Sequence, residues 1–314
     1  MNKRYNQAVM KAAEDLINFH LAEEYARCRE ELLACALLAP LPEHNLLGIL
    51  GFDGQVYPLP SLEQVSALFA HKADLVFFKM AQGFERLLLT PLAISLPVLI
   101  EKVQAALVQA GAQGGIYLTQ RSPSEAFVPT RLNKEKQVWL WEQVRLVLDT
   151  DTLVYFPRQY TAQHGGLSKS EAIHDPSMCA VPGWSVALVE PSPFLPQQGE
   201  GTTLAGRPQL EIGSSPLEYL AALQAPEYVG ESGKTLEDAL TQFLVRLVST
   251  RQISFDRDDG SAQWCLGQYF RLPYAQVVPT VWWARQIGRL RLDAHRTANK
   301  QCAQNWGVST LVRL

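Results

Sequence analysis

Apolar residues recur at three- and four-residue spacing from residue 5 to residue 39: Val9, Ala12, Leu16, Phe19, Leu21, Tyr25, Leu32, Leu33 and Leu37. No Gly or Pro interrupts them, so the pattern predicts one long amphipathic helix, ended by Pro40 and Pro42. Leu46 to Gly54 reads as a short strand and a turn. The same periodicity predicts helices at 61–70, 74–89 and 95–110. Residues 121–136 are polar and contain two prolines, which predicts a linker or exposed loop.

Beyond this point the texture changes. β-Branched and aromatic residues predict strands at 153–156 and 184–189. Residues 190–216 are rich in Pro and Gly and read as loop. Helices are expected at 216–223 and 236–248, the second opened by a capping box of Thr235 and Asp238. Strands follow at 252–256, 263–270, 277–286, 289–293 and 307–313, with no internal repeat. The expected class is α+β: a mostly helical region over residues 1–130, then a β-rich domain with two helices over 131–314.

Composition narrows the function classes. The chain has 314 residues, 47% hydrophobic and 19% charged, which suits a soluble protein with a substantial core. A net charge of −3 argues against a general nucleic-acid or membrane-surface binder. The longest apolar run, Leu87 to Ile100, holds Pro91 and Pro97 and falls short of the roughly 20 residues a membrane helix needs. The N-terminus lacks an apolar signal core. A cytoplasmic location is expected, with association to a virion as the alternative. Five cysteines, Cys28, Cys35, Cys179, Cys265 and Cys302, form no CxxC pair and read as reduced thiols. Cys28 and Cys35, seven apart on one helix face, read as buried small hydrophobes.

The end of the chain departs from this average. Gly260 to Leu314 holds four of the seven tryptophans and seven basic residues against one acid, Asp293. Trp and Arg dominate binding hot spots because they bury much area and keep a polar handle. Other motifs are weaker. Gly230 to Thr235 resembles the end of a phosphate-binding loop, but Tyr228 stands where that loop needs Gly, so a turn and a helix cap are expected. Asp256-Arg257-Asp258-Asp259-Gly260 puts Gly at the fifth position, one too early for an EF-hand, and reads as a polar turn. The histidines show no zinc spacing, and no Gly-x-Ser-x-Gly elbow occurs.

The stretch Val278-Pro279-Thr280-Val281-Trp282-Trp283-Ala284-Arg285, with Arg289-Leu290-Arg291-Leu292 and Gly307 to Arg313, resembles the variable region of diversity-generating retroelement proteins. These carry a C-type-lectin-like fold related to the formylglycine-generating enzymes. Gln82-Gly83-Phe84 to Leu89, His164-Gly165-Gly166, Gly183-Trp184 to Glu190, Gly199 to Gly201, Gly206-Arg207 to Glu211, Pro216 to Leu220 and Gly230-Glu231 extend the resemblance. It implies a fixed framework with rewritten positions over about 265–313, and a non-catalytic ligand-binding protein. Ser309 stands where that group usually carries Arg. The enzymes' paired cysteines have no evident counterpart unless Cys265 and Cys302 meet.

Between 279 and 293 large apolar residues alternate with a chemically mixed set, and alternate strand residues face opposite sides. Trp283, Arg285, Leu290 and Leu292 are expected on the framework side. The expected ligand-binding set is Thr280, Val281, Trp282, Ala284, Gln286, Ile287, Arg289, Arg291, Asp293 and His295, with Thr280, Val281 and Ile287 at bends. No cofactor is implied. The expected partner is a macromolecule, protein or glycan. The alternatives are an enzyme using Cys265 and Cys302 or a metal, and a single-stranded nucleic-acid binder.

Overall fold

The computed structural model describes residues 20–41, 46–161, 163, 165–298 and 303–314. Of the first predicted helix, residues 5–19 lie outside this set, and residues 20–34 are helical. Cys28 and Cys35 are buried there, and burial pushes the Cys28 thiol up to about 12. Both therefore serve as core residues. Helices follow at Leu62–His71, Ala73–Ala81 and Leu96–Ala112.

The helix expected over 74–89 stops early. Gly83 takes a φ of +93°, a conformation few other residues accept, and the chain leaves the helix there. Arg86–Thr90 is a strand instead. Its run of three leucines reads as a buried strand or a buried helix by periodicity alone, and the glycine decides. The segment expected as a strand at 252–256 makes only isolated bridges, at Gln252 and Asp256.

The protein is α+β, with two principal sheets. One has four antiparallel strands in the order Glu231–Gly233, Thr310–Arg313, Ser185–Val189, Arg86–Thr90. The other centres on a hairpin of Ala275–Ala284 and Arg289–Arg296. On its far side Ala275–Ala284 pairs first with Gln268–Leu272 and then with Ala262–Trp264. Arg289–Arg296 pairs in parallel with Val138–Leu140. The helix Leu236–Thr250 packs between the sheets and buries Leu236, Leu240, Phe243, Leu244 and Leu247. Its capping box, Thr235 with Asp238, forms as predicted.

Residue 130 does not mark a break in packing. Arg86–Thr90 is a full strand of the sheet built by the C-terminal half. One apolar core runs from Leu21 and Leu32 through Leu99 and Leu107 to Phe243, Trp283 and Val312. A second cluster, with Trp264, Tyr219, Trp282 and Trp306, lies on the other face of the hairpin. No helix among the described residues is long and apolar enough to cross a membrane.

Candidate functional site

The hairpin register sorts its side chains. Trp283 pairs with Leu290 and Val281 with Leu292, and all four are buried in the main core. Trp282 pairs with Arg291, Thr280 with Asp293, Val278 with His295 and Ala284 with Arg289, on the opposite face. The turn is 285–288. Gly288 makes it possible: its φ is +66°, and a Cβ there would meet the Arg131 carbonyl oxygen at 2.5 Å.

Arg291 is held between two indoles. Its guanidinium lies 4.0 Å from the Trp139 ring and 4.9 Å from the Trp282 ring, its cross-strand neighbours on either side. Arg257 stacks on Trp282 as well, at 4.4 Å. Asp293 ties the group together, accepting from Trp282 Nε1 at 3.3 Å and pairing with Arg291 at 3.2 Å. His295 sets its ring edge-on to Trp264 and Trp306. Burial lowers the imidazole's pKa, against the pull of Asp293, so the ring is neutral at pH 7. Arg257, Trp282, Arg291, Asp293, His295 and Trp306, with Gln304 and Asn305, line an open depression of about 470 Å³.

Several polar atoms on this face are buried without a partner among the described residues: the donors Arg289 Nε, Arg291 Nε and Trp264 Nε1, and the ring nitrogen His295 Nε2. A buried polar group left unpaired costs about 1–3 kcal/mol, so such a cluster favours whatever can supply acceptors.

Four members of the expected binding set are placed differently. Val281 is fully buried on the core side, because the strand runs unbroken through 280 and 281 where bends were expected. Thr280 shares the outer face but is fully covered, between Trp264 and Asp293 in the register. Trp282 and Ala284 are 6% and 7% exposed because the second apolar cluster packs over them. Gln286 and Ile287 are exposed on the turn, and Arg289, Arg291, Asp293 and His295 are half-buried. Arg257 and Trp306 complete the depression from distant positions, and Trp139 backs Arg291. The basic, aromatic composition around Trp306 was a signal for it, but nothing local marked Trp139.

The acidic turn 256–259 holds an arginine. Asp256 caps a short helical turn and accepts from Arg285 Nε at 3.0 Å and Arg285 Nη2 at 2.7 Å, while Asp259 takes Nη2 at 2.9 Å. Burial raises the Asp256 carboxyl despite this pairing. Arg285 is thereby held in place by two carboxylates. Cys265 is fully buried, and burial pushes its thiol well above the ordinary range, so it is protonated at neutral pH. Cys302 and His164 lie outside the described residues.

Several stretches that carry the family resemblance meet at Arg207. It is 2% exposed, donates to both carboxylate oxygens of Glu231 and to Glu190, and stacks on Phe84 at 4.7 Å. Lys79 adds a further bond to Glu231 at 2.7 Å. Neither a protein-family model, nor a curated protein, nor a solved structure matches the chain.

Proposed function

We propose that this chain is a non-catalytic ligand-binding protein that displays a retroelement-diversified surface on a C-type-lectin-like scaffold. The observation that carries the reading is the register of the hairpin. It puts Trp283, Leu290 and Leu292 in the core and a chemically mixed, partly exposed set on the other face. The binding surface is Gln286, Ile287, Arg289, Arg291, Asp293 and His295, supported by Trp282 from beneath. Arg257 and Trp139 extend it. Rigid strands and stacked rings limit the ordering entropy lost on binding, so a change of side chain alters specificity without unfolding the domain. The ligand is a macromolecule, protein or glycan, that offers acceptors to the unpaired donors and apolar area to the indoles.

Two tests bear on it. In the first, Gln286, Ile287, Arg289, Arg291, Asp293 and His295 are randomised together in a surface-display library and scored for folded protein. Most members should stay folded, whereas a library at Val281, Trp283, Leu290 and Leu292 should be almost wholly unfolded. Equal losses in the two libraries would remove the distinction on which the reading stands. The second is genomic: a near-copy of the DNA for residues 265–313, differing mainly at adenines beside a reverse-transcriptase gene, is expected. Its absence would leave a binding scaffold without the diversification.

A further inference from the structure

A cavity of about 290 Å³ lies on the other side of the hairpin sheet, apart from the proposed binding surface. The 20–34 helix, the Arg86–Thr90 strand and the Leu236–Thr250 helix wall it. Gln263, which precedes Trp264 in its strand and so faces away from the indole cluster, reaches it.

Its floor is cationic. Lys234 is 2% exposed and its Nζ donates to Gln242 Oε1 at 2.5 Å and Ser309 Oγ at 2.6 Å. Ser309 in turn donates to Gln263 Oε1 at 2.7 Å. No carboxylate lies within ion-pair distance of Lys234 among the described residues. Arg246 sits one helical turn beyond Gln242 on the same helix face, about 6 Å along the axis. It donates to Gln252 Oε1 at 2.9 Å, keeps Nε unpartnered, and likewise has no carboxylate partner among the described residues. Ser254 Oγ, on a residue 3% exposed, also lines the cavity without a partner among the described residues.

The remaining charges on the wall are matched. Arg27 pairs with Glu24 and Glu31, Arg86 with Glu24, and Glu190 with Arg207. The Cys28 thiol, pushed up to about 12, is neutral. Lys234, buried, and Arg246, half-buried, have no counter-ion among the described residues, an arrangement that an anion in the cavity would stabilise. Burial brings Lys234 down to about 8, with Asp238 and Glu190 opposing from a distance, so it is still charged at pH 7 and an anion in the cavity would hold it so to higher pH.

The helix N-terminus next to Lys234 is not the receptor. Thr235 N–H donates to Asp238, Leu236 N–H to Gln268 and Asp238 N–H to Thr235, so these three amides are taken. The motif at 230–235 therefore does not act as a phosphate loop, and Lys234 faces the cavity instead.

We propose that this cavity binds a small phosphate-type oxyanion, free or as a monoester, through Lys234, Arg246 and Ser254. The site is independent of the hairpin surface and stands or falls separately from it.

Titration calorimetry of the full chain with inorganic phosphate and with glycerol phosphate, at pH 7 and pH 9.5, tests it. One equivalent should bind at pH 7, and binding should weaken at pH 9.5 as Lys234 loses its proton. Lys234→Met and Arg246→Met should each weaken it by about tenfold or more, as expected for a lost charge-assisted hydrogen bond. Should Lys234→Met fail to fold by circular dichroism, Arg246→Met and Ser254→Val carry the test. Tighter binding of the ester identifies an organic phosphate lying against the apolar wall, and tighter binding of phosphate identifies the free ion. Absence of saturable binding of either, or binding equal in all folded variants, overturns the proposal.

Discussion

Two charged regions of this protein handle arginine in opposite ways. Around Glu231 the balance is complete. One carboxylate oxygen takes Lys79 and Arg207, and the other takes Arg207 and Thr310, all between 2.6 and 2.8 Å. Every side chain there is buried or nearly so. On the outer hairpin face Arg291 and Arg257 rest on indole rings, Asp293 is the acid between them, and several N–H groups find no partner among the described residues. A saturated buried network fixes one arrangement of the chain and offers nothing to a visitor. A stacked and under-satisfied one keeps affinity in reserve. The first region reads as framework and the second as contact surface, and that contrast can be tested by breaking each.

The largest effect is expected at the framework. Glu231→Gln removes the charge that Lys79 and Arg207 share and leaves two cations fully buried. Removing one partner of a buried ion pair costs about 3–5 kcal/mol. Urea unfolding should show a loss in that range, or no folded protein. A loss under about 1 kcal/mol would mean the cluster is not the framework that its geometry indicates.

The next effect depends on pH. Asp238 is fully buried, which by itself raises its carboxyl, yet Arg313 and the capping bonds more than offset this and hold it below the ordinary range. A carboxyl lowered in the folded state stabilises above its unfolded pKa and loses that contribution as pH falls through the folded value. The wild-type protein should therefore weaken as pH drops below about 4, the ordinary Asp value. Arg313→Met should be less stable at pH 7 by about 3 kcal/mol and should show a flatter acid limb. An unchanged acid limb in the variant would remove Asp238 as its source.

Arg285→Ala should act in the reverse sense and more weakly, since Arg285 is a third exposed. Asp256 is already raised by burial, so its charged form is the disfavoured one. Without Arg285 that penalty grows, and the loss of about 1 kcal/mol at pH 7 should shrink toward pH 4, where Asp256 can protonate. Paired thermal melts at the two pH values decide it.

The sequence carried the outer face better than the framework. Period-two alternation is a local signal, so the placement of Trp283, Leu290 and Leu292 against Arg291, Asp293 and His295 was legible. Pro279 obscured the phase of Val281. A proline in mid-strand suggests a bend, but here it falls where the partner changes from Gln268–Leu272 to Ala262–Trp264, so its missing N–H interrupts neither ladder. The burial of Trp282 and Ala284 was not legible, because the residues that cover them, Tyr219 and Trp306 among them, arrive from elsewhere in the chain. Nor was the Glu231 cluster, whose partners lie 24 and 152 residues away. Periodicity sees one element at a time, and ion pairs between elements leave no period.

The smallest expected effect on stability is at Arg291, and it separates the two regions most cleanly. Its guanidinium stacks on Trp139 and Trp282, an interaction of about 0.5–2 kcal/mol, and it pairs with the half-buried Asp293 while itself remaining partly exposed. Arg291→Ala should therefore cost no more than about 1 kcal/mol, because the indoles can close over the gap and Asp293 keeps Trp282 Nε1 as a donor. Arg291→Lys tests the stacking alone: it keeps the charge but not the flat guanidinium that fits between two rings. Both variants should keep the wild-type fold by circular dichroism and the wild-type unfolding slope in urea. A loss of several kcal/mol at Arg291, equal to that at Glu231, would place the hairpin face in the framework and leave it no freedom to vary.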